Sequence, residues 1–221
     1  MTSQGCLMVC DLINRCPTLQ EIQLQNNLID NHGAQTLVES IAGRNITKLD
    51  VDNNKISGRV LSELLVVVPV RKLNLVRNKL SDAQVEPLKQ SLVAKRDLKV
   101  LHMSHNNLSD RSLGMLAEGL AVNAGIEEIQ FTHNDLSLPQ GLAVISALEH
   151  IPNLTKLSLN SCSLITPCLE ALKRALMQNE GLQEISLYSN EIDAEGAQLL
   201  AQMLVNKAKL RTLGLSNNII G

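Results

Sequence analysis

Histidine, arginine, lysine and cysteine are the residue types in this chain that could do chemistry, and each occurs in a cluster. His105 and His133 fall at equivalent places in adjacent copies of a repeat, with His102 close by. Imidazoles brought within a few ångströms of one another can hold a transition metal. No Asp, Glu or Cys stands at an equivalent place to complete a ligand set, so a polar surface role is expected, with no metal and no cofactor. The five cysteines, Cys6, Cys10, Cys16, Cys162 and Cys168, are odd in number and fall in two groups. Their spacing is not the paired pattern of structural zinc, which leaves reduced thiols acting as small buried apolar groups. G-x-S-x-G, Walker-type, H-E-x-x-H and G-x-G-x-x-G motifs do not occur in the sequence, so no catalytic residue is assigned and the chain reads as a non-enzyme.

The cationic cluster is Arg71, Lys72 and Arg77, continued by Lys99, His102 and His105. Arginine forks pair with carboxylates bidentately, which makes this cluster a docking site for an acidic protein segment. The competing reading is a solvated face on which neighbouring strands exchange Asp50, Lys72 and Glu128 in cross-strand pairs. Nucleic acid is not the expected partner, because base stacking needs aromatic platforms and the chain has one Tyr, one Phe and no Trp. That scarcity makes Tyr188 the one uncharged candidate for a contact residue, since aromatic side chains and Arg dominate binding hot spots.

The net charge of -2 and the pI near 6.2 give no overall attraction to polyanions. No run approaches the ~18 apolar residues of a membrane span. At the N-terminus, MTSQGCLMVCDLINRCP has its only apolar stretch interrupted by Asp11, so a signal peptide is not expected and a cytoplasmic setting is. The sequons at Asn45, Asn107 and Asn153 are read as chance matches within an Asn-containing repeat.

These residues must be positioned by a repeat, because LQEIQLQNNLID at Leu19 returns as LQEISLYSNEID at Leu182. Counting from Leu19, apolar residues fall at +3, +5 and +10 and Asn at +8, and the pattern starts again at Ile46, Val70, Leu98, Ile126, Leu154, Leu182 and Leu210. We call these units one to eight. The alternation at +3 and +5 predicts one dry and one wet face of a short strand. Position +8 is held by Asn27, Asn54, Asn78, Asn106, Asn134, Cys162, Asn190 and Asn218, which predicts a ladder of side-chain amides serving backbone groups where the chain leaves the strand. Apolar residues near +14, +18 and +22 have helical spacing, as in Leu116 and Leu120.

The pattern resembles the leucine-rich repeat, LxxLxLxxNxL, in its long, ribonuclease-inhibitor-like form. The resemblance covers the whole chain as one domain: a half repeat at 1–18, repeats starting at 19, 46, 70, 98, 126, 154 and 182, and a partial repeat at 210–221. It implies an α/β, right-handed leucine-rich-repeat solenoid, a horseshoe with a parallel sheet on its concave face and helices on its convex face. Unit two, which runs from Ile46 to Pro69, is shorter than the others, and its helix is expected to be one turn shorter. The outward positions +1, +2, +4, +6 and +7 are where partner contacts are expected, which places the basic cluster on units three and four with acid on both sides.

The function this implies is a non-enzymatic protein-protein interaction module, a segment of a larger scaffold or receptor. The alternative is a GTPase-activating protein of the Ran type, which has repeats of this length; no position here matches a catalytic residue. The near absence of aromatic residues on the concave face argues against the nuclease inhibitors of this family. A cytoskeletal or ciliary scaffold is a further setting. The incomplete end repeats predict head-to-tail self-association through uncapped ends.

Overall fold

A computed structural model of the chain describes residues 3–56, 58–78, 80–94 and 97–221. The elements alternate: α1 (Ser3–Arg15), β1 (Glu21–Gln23), α2 (Asn31–Ile41), β2 (Lys48–Asp50), α3 (Gly58–Val67), β3 (Lys72–Asn74), α4 (Asp82–Ala94), β4 (Val100–His102), α5 (Asp110–Leu120), β5 (Glu128–Gln130), α6 (Pro139–Ala147), β6 (Lys156–Ser158), α7 (Thr166–Leu176), β7 (Glu184–Ser186), α8 (Ala194–Leu204) and β8 (Thr212–Gly214). A single 3-10 turn, Leu148–His150, extends α6. The strands form one parallel sheet in chain order, β1 to β8. This is the expected α/β solenoid of leucine-rich repeats. Residues 1 and 2 of the expected half repeat lie outside the described residues.

The register is set by the sequence period. Glu21 pairs with Lys48, Lys48 with Lys72, Lys72 with Val100 and so on to Thr212, so that every strand meets its neighbour at the same offset. A slip of one residue would turn each dry column to water. The +3 column shows what that would cost: Ile22, Leu49, Leu73, Leu101, Ile129, Leu157 and Ile185 are all buried. Behind them lie the helix residues Leu37, Leu64, Leu88, Leu116, Val144, Leu172 and Leu200, one per layer, also buried. Truncating one such Leu to Ala costs about 2–5 kcal/mol.

Helix starts are fixed by short polar side chains. Asp30, Ser109 and Asp193 accept hydrogen bonds from the backbone N–H three residues on, at 2.8–3.1 Å. These are N-caps that satisfy groups the helix cannot. Asp193 also accepts from Thr166, and these bonds hold its carboxyl below the usual carboxylate range.

Two expectations are corrected. The helix of unit two is not a turn shorter: α3 has 10 residues against 11 in α5, α7 and α8. The shortening falls mainly in the return segment, where four residues link Val67 to Lys72 while seven link Leu120 to Glu128. A helix must stay long enough to cover the sheet, whereas a return segment needs only to span the layer. The second correction concerns Cys16, which is exposed just beyond α1; the other four thiols are buried as expected.

The far rim of the solenoid carries a second set of cross-layer bonds. Near the ends of the helices, Arg44 Nη1 donates to Ile13 O at 2.9 Å, Asn179 Nδ2 to Leu154 O at 2.9 Å, and Lys207 Nζ to Leu176 O and Asn179 O, both at 2.6 Å. Asn123 Nδ2 likewise donates to Leu92 O of the preceding helix. Ile13 O, Leu92 O and Leu176 O are carbonyls left over at helix C-termini, whereas Leu154 O and Asn179 O lie in the return segments. Lys207 is buried, and desolvation pulls its ammonium pKa down.

Candidate functional site

The ladder forms the inner rim. Asn54, Asn78, Asn106, Asn134, Asn190 and Asn218 each donate through Nδ2 to the +5 carbonyl of the unit before, at 2.9–3.1 Å. Several also donate to the +5 carbonyl of their own unit, as Asn134 does to Phe131 O at 2.8 Å. Cys162 substitutes a thiol, donating to Phe131 O at 3.4 Å, and burial pushes its pKa up to about 12. Asn27, in the first unit, donates to its own unit's Leu24 O at 3.0 Å and is half-buried.

Beside the ladder, the column at +7 holds a conformation that the sequence reading did not foresee. Asn26, Asn53, Arg77, His105, His133, Ser161, Ser189 and Asn217 all have φ between 51° and 58°. This left-handed region disfavours residues with a Cβ, and Asn and His are among those enriched in it. The column is therefore a turn in every layer as well as an outward surface. The abundance of Asn and Ser at +7 was the available signal.

The expected basic cluster divides in two. Lys99 Nζ lies 2.9 Å from Glu127, and His102 Nε2 lies 2.8 Å from Glu128 Oε1. Lys48 is paired with Glu21 at 3.2 Å and Lys156 with Glu184 at 2.9 Å. Cross-strand exchange thus pairs several charges of the concave face, but of the three residues the competing reading named only Glu128 is in a pair; Asp50 and Lys72 have no ion-pair partner among the described residues. Arg71, Lys72 and Arg77 are exposed, and among the described residues none has a carboxylate within ion-pair distance. Lys72 also borders a hollow of about 170 Å³ that Lys48, Asp50, Asn74 and His102 complete.

In the preceding unit stands Asp52, whose Oδ1 is buried without a hydrogen-bond partner among the described residues. Desolvation raises its pKa, with Arg77 opposing and Asp50 assisting. His105 and His133 stack, with ring centroids 4.1 Å apart and planes inclined by 27°. Among the described residues no group of three or more His, Cys, Asp or Glu side chains could hold a metal.

The second half of the concave face is hydroxyl-rich. A hollow of about 430 Å³ is lined by Gln130, Lys156, Ser158, Glu184, Ser186 and Tyr188. Asn160 organises it, donating to Ser158 Oγ at 3.0 Å and accepting from Ser186 Oγ at 2.7 Å and Tyr188 N at 2.8 Å. Sequence reasoning missed Asn160, although an amide at +6 next to a run of Ser and Thr was the visible sign. Tyr188 is 40% exposed, and its ring lies over Gly214 of the next strand, where a Cβ would come within 2.5 Å of Cζ. The glycine is what lets the ring lie flat on the sheet.

A family model described as "Leucine Rich repeat" matches residues 94–117 and 178–201, two stretches offset from one another by three repeat units. No curated protein matches the chain significantly. A solved structure of the tropomodulin C-terminal domain from Caenorhabditis elegans is similar over 93% of this chain and 92% of that one, at 9% identity and a TM-score of 0.47. No helix among the described residues is long and apolar enough to cross a membrane. Two stretches of the chain are thus similar to leucine-rich repeats, and the strands and helices around them repeat the same unit in an α/β solenoid.

Proposed function

We propose that the chain is a non-enzymatic protein-interaction module of the ribonuclease-inhibitor-like class, and that it takes an acidic segment of a protein partner on its concave face at unit three. The observation that carries this reading is selective: Lys48, Lys99 and Lys156 are neutralised by neighbouring strands, while Arg71, Lys72 and Arg77 face solvent with no carboxylate at ion-pair distance among the described residues, Asp52 acting on Arg77 only from farther off. Lys72 lies on β3 and Arg71 directly precedes it, its N–H bonded to Thr47 O at 2.8 Å, which limits the backbone ordering that binding must overcome. Tyr188 and its hollow offer a second contact about four strands away, or roughly 19 Å at ~4.8 Å per strand. A cytoplasmic setting suits a core with four buried free thiols.

The test is the binding of a labelled ten-residue polyaspartate at low salt, compared between the parent chain and R71E/K72E/R77E. The triple variant should lose binding while keeping its far-UV circular dichroism. Retained affinity would remove unit three as the site.

A second association is favoured by one column. Leu213 is 45% exposed, whereas the seven residues before it at +3 are at most 5% exposed. At the other end, Leu7, Met8 and Leu12 of α1 are more than half exposed. Stacking β8 of one copy beneath α1 and β1 of a second would cover both surfaces, and a further repeat of a longer scaffold would do the same. Sedimentation velocity across a wide concentration range distinguishes the copies: a clean monomer at high concentration rules out head-to-tail assembly.

A further inference from the structure

Arg77, His105 and His133 are consecutive members of the +7 column. Their φ angles, 55°, 57° and 57°, are nearly the same, so three adjacent layers project these side chains from equivalent backbone positions. The backbone bonds Arg77 N to Ser104 O, His105 N to Thr132 O and His133 N to Asn160 O, at 2.8–3.1 Å, lock the layers together. The result is a row of one permanent cation and two imidazoles, beside Arg71 and Lys72, which have no ion-pair partner among the described residues.

The counter-charges within this row are few. His105 has Arg77 on one side and His133 stacked on the other, with Asp52 contributing attraction from two layers away. Asp82, at the start of α4, lines the same cleft as His105, but its carboxylate already accepts hydrogen bonds from the hydroxyls of Ser109 and Ser112. On the far side, Asp135 accepts from Ser137 N and Oγ at 3.0 and 2.7 Å. His102 and Glu128, on the neighbouring strands, satisfy each other. Burial, His133 and Arg77, in that order, hold the His105 pKa below the ordinary imidazole value, with Asp52 opposing. A stack at 4.1 Å suits neutral rings; two imidazolium rings at that separation would repel.

We infer that docking of an acidic peptide on this face is coupled to proton uptake by the His105–His133 pair, so that binding tightens as the medium acidifies. The inference rests on the acidic-partner reading above. A carboxylate laid along the row supplies the counter-charge that the chain itself lacks, and so raises the imidazole pKa in the complex. By linkage, affinity is flat at high pH, where both states are neutral. It rises as pH falls through the pKa of the complex and levels off below the pKa of the free chain. Each imidazole whose pKa rises by about one unit contributes about a tenfold gain.

The experiment measures the affinity of polyaspartate, labelled with a pH-insensitive dye, at pH 7.5 and 5.5 and constant ionic strength. The peptide stays ionised across that range, since Asp titrates near ~3.9. The parent chain should bind about tenfold more tightly at the lower pH. In H105N/H133N, whose new residues tolerate the left-handed backbone, the ratio between the two pH values should fall to near one. Proton NMR titration of the parent chain gives an independent reading: the His105 resonance should titrate at higher pH when peptide is bound. A ratio unchanged in the double variant, or a His105 pKa that peptide does not move, overturns the coupling and leaves the acidic-partner reading standing. No binding by the parent chain at either pH overturns both.

Discussion

Replacing Asn190 by Ala should destabilise the chain far more than replacing Asn134, although both are buried ladder residues. The difference comes from their neighbours. Asn134 donates to Met103 O and Phe131 O and accepts from Leu108 N at 3.3 Å. Met103 O also receives Asn106, and Phe131 O also receives Cys162 Sγ. Removing Asn134 therefore orphans only Leu108 N. Asn190 donates to Leu159 O at 2.9 Å and accepts from Cys162 N at 2.8 Å and Leu164 N at 3.1 Å. The thiol at 162 does not serve Leu159 O, so Leu159 O, Cys162 N and Leu164 N lose their partner together; Leu187 O keeps Asn218, and Tyr188 O, which Asn190 also reaches at 3.2 Å, keeps Ser161 N. At about 1–3 kcal/mol per orphaned buried group, Asn134→Ala costs about 1–3 kcal/mol and Asn190→Ala at least about 3 kcal/mol. A gap of about 2 kcal/mol is about 4–8 °C in melting temperature for a chain of this size. Thermal melts followed by far-UV circular dichroism measure it, and hydrogen exchange at amides 162 and 164 locates it. Equal melting temperatures for the two variants would refute the shared-acceptor argument.

Gly214→Ala should lift the Tyr188 ring off the sheet. Tyr188 is the single tyrosine in a chain without tryptophan, so its fluorescence reports the change directly, and an unaltered spectrum would contradict the contact. At position 77, where φ is 55°, Arg→Gly should be neutral or stabilise by up to about 1 kcal/mol, and Arg→Val should destabilise by at least as much. Urea denaturation of the pair checks the sign. Burial keeps Cys162 protonated, with its pKa near 12, and Cys16 is exposed; native alkylation at pH 8 should therefore label Cys16 first, and prompt labelling of Cys162 would contradict its burial. Gly141→Ala should be strongly destabilising, by at least about 2 kcal/mol, because its Cβ would meet Leu136 O at 2.3 Å, which a melt would show.

The strands and their inward faces were legible in the sequence because a two-residue alternation recurring at a fixed period admits one register. The ladder was legible for a similar reason, since an Asn returning at +8 has few other uses. What the sequence hid was the choice among polar partners. Lys99 and Arg71 sit on the same wet face at +1, yet Lys99 finds Glu127 across the strand gap and Arg71 has no carboxylate at ion-pair distance among the described residues. That outcome depends on side-chain reach across a twisted sheet. Asn160 and the second rim were hidden differently: their donors are Asn, Arg and Lys at places where the repeat tolerates many residues, so no single type marks the column. The shortened unit two was misread because the deletion was assigned to the helix, when the return segment could absorb it at no loss of burial.

The far-rim bonds have a mechanical consequence. With Asn side chains tying neighbouring layers at the inner edge and Asn123, Asn179 or Lys207 tying them at the outer edge, adjacent layers are pinned at two separated points and resist rotation about the long axis. At the equivalent place in unit five stands Ile151, which has no donor to offer, and the nearest cross-layer bond is the exposed Asn153 Nδ2 to Ala124 O at 3.0 Å. There the tie has moved into water, where it is weaker. Under torsion or tension this layer is more compliant than those tied by Asn123, Asn179 or Lys207, so the angle between the cationic third unit and the Tyr188 hollow depends on how far unit five yields.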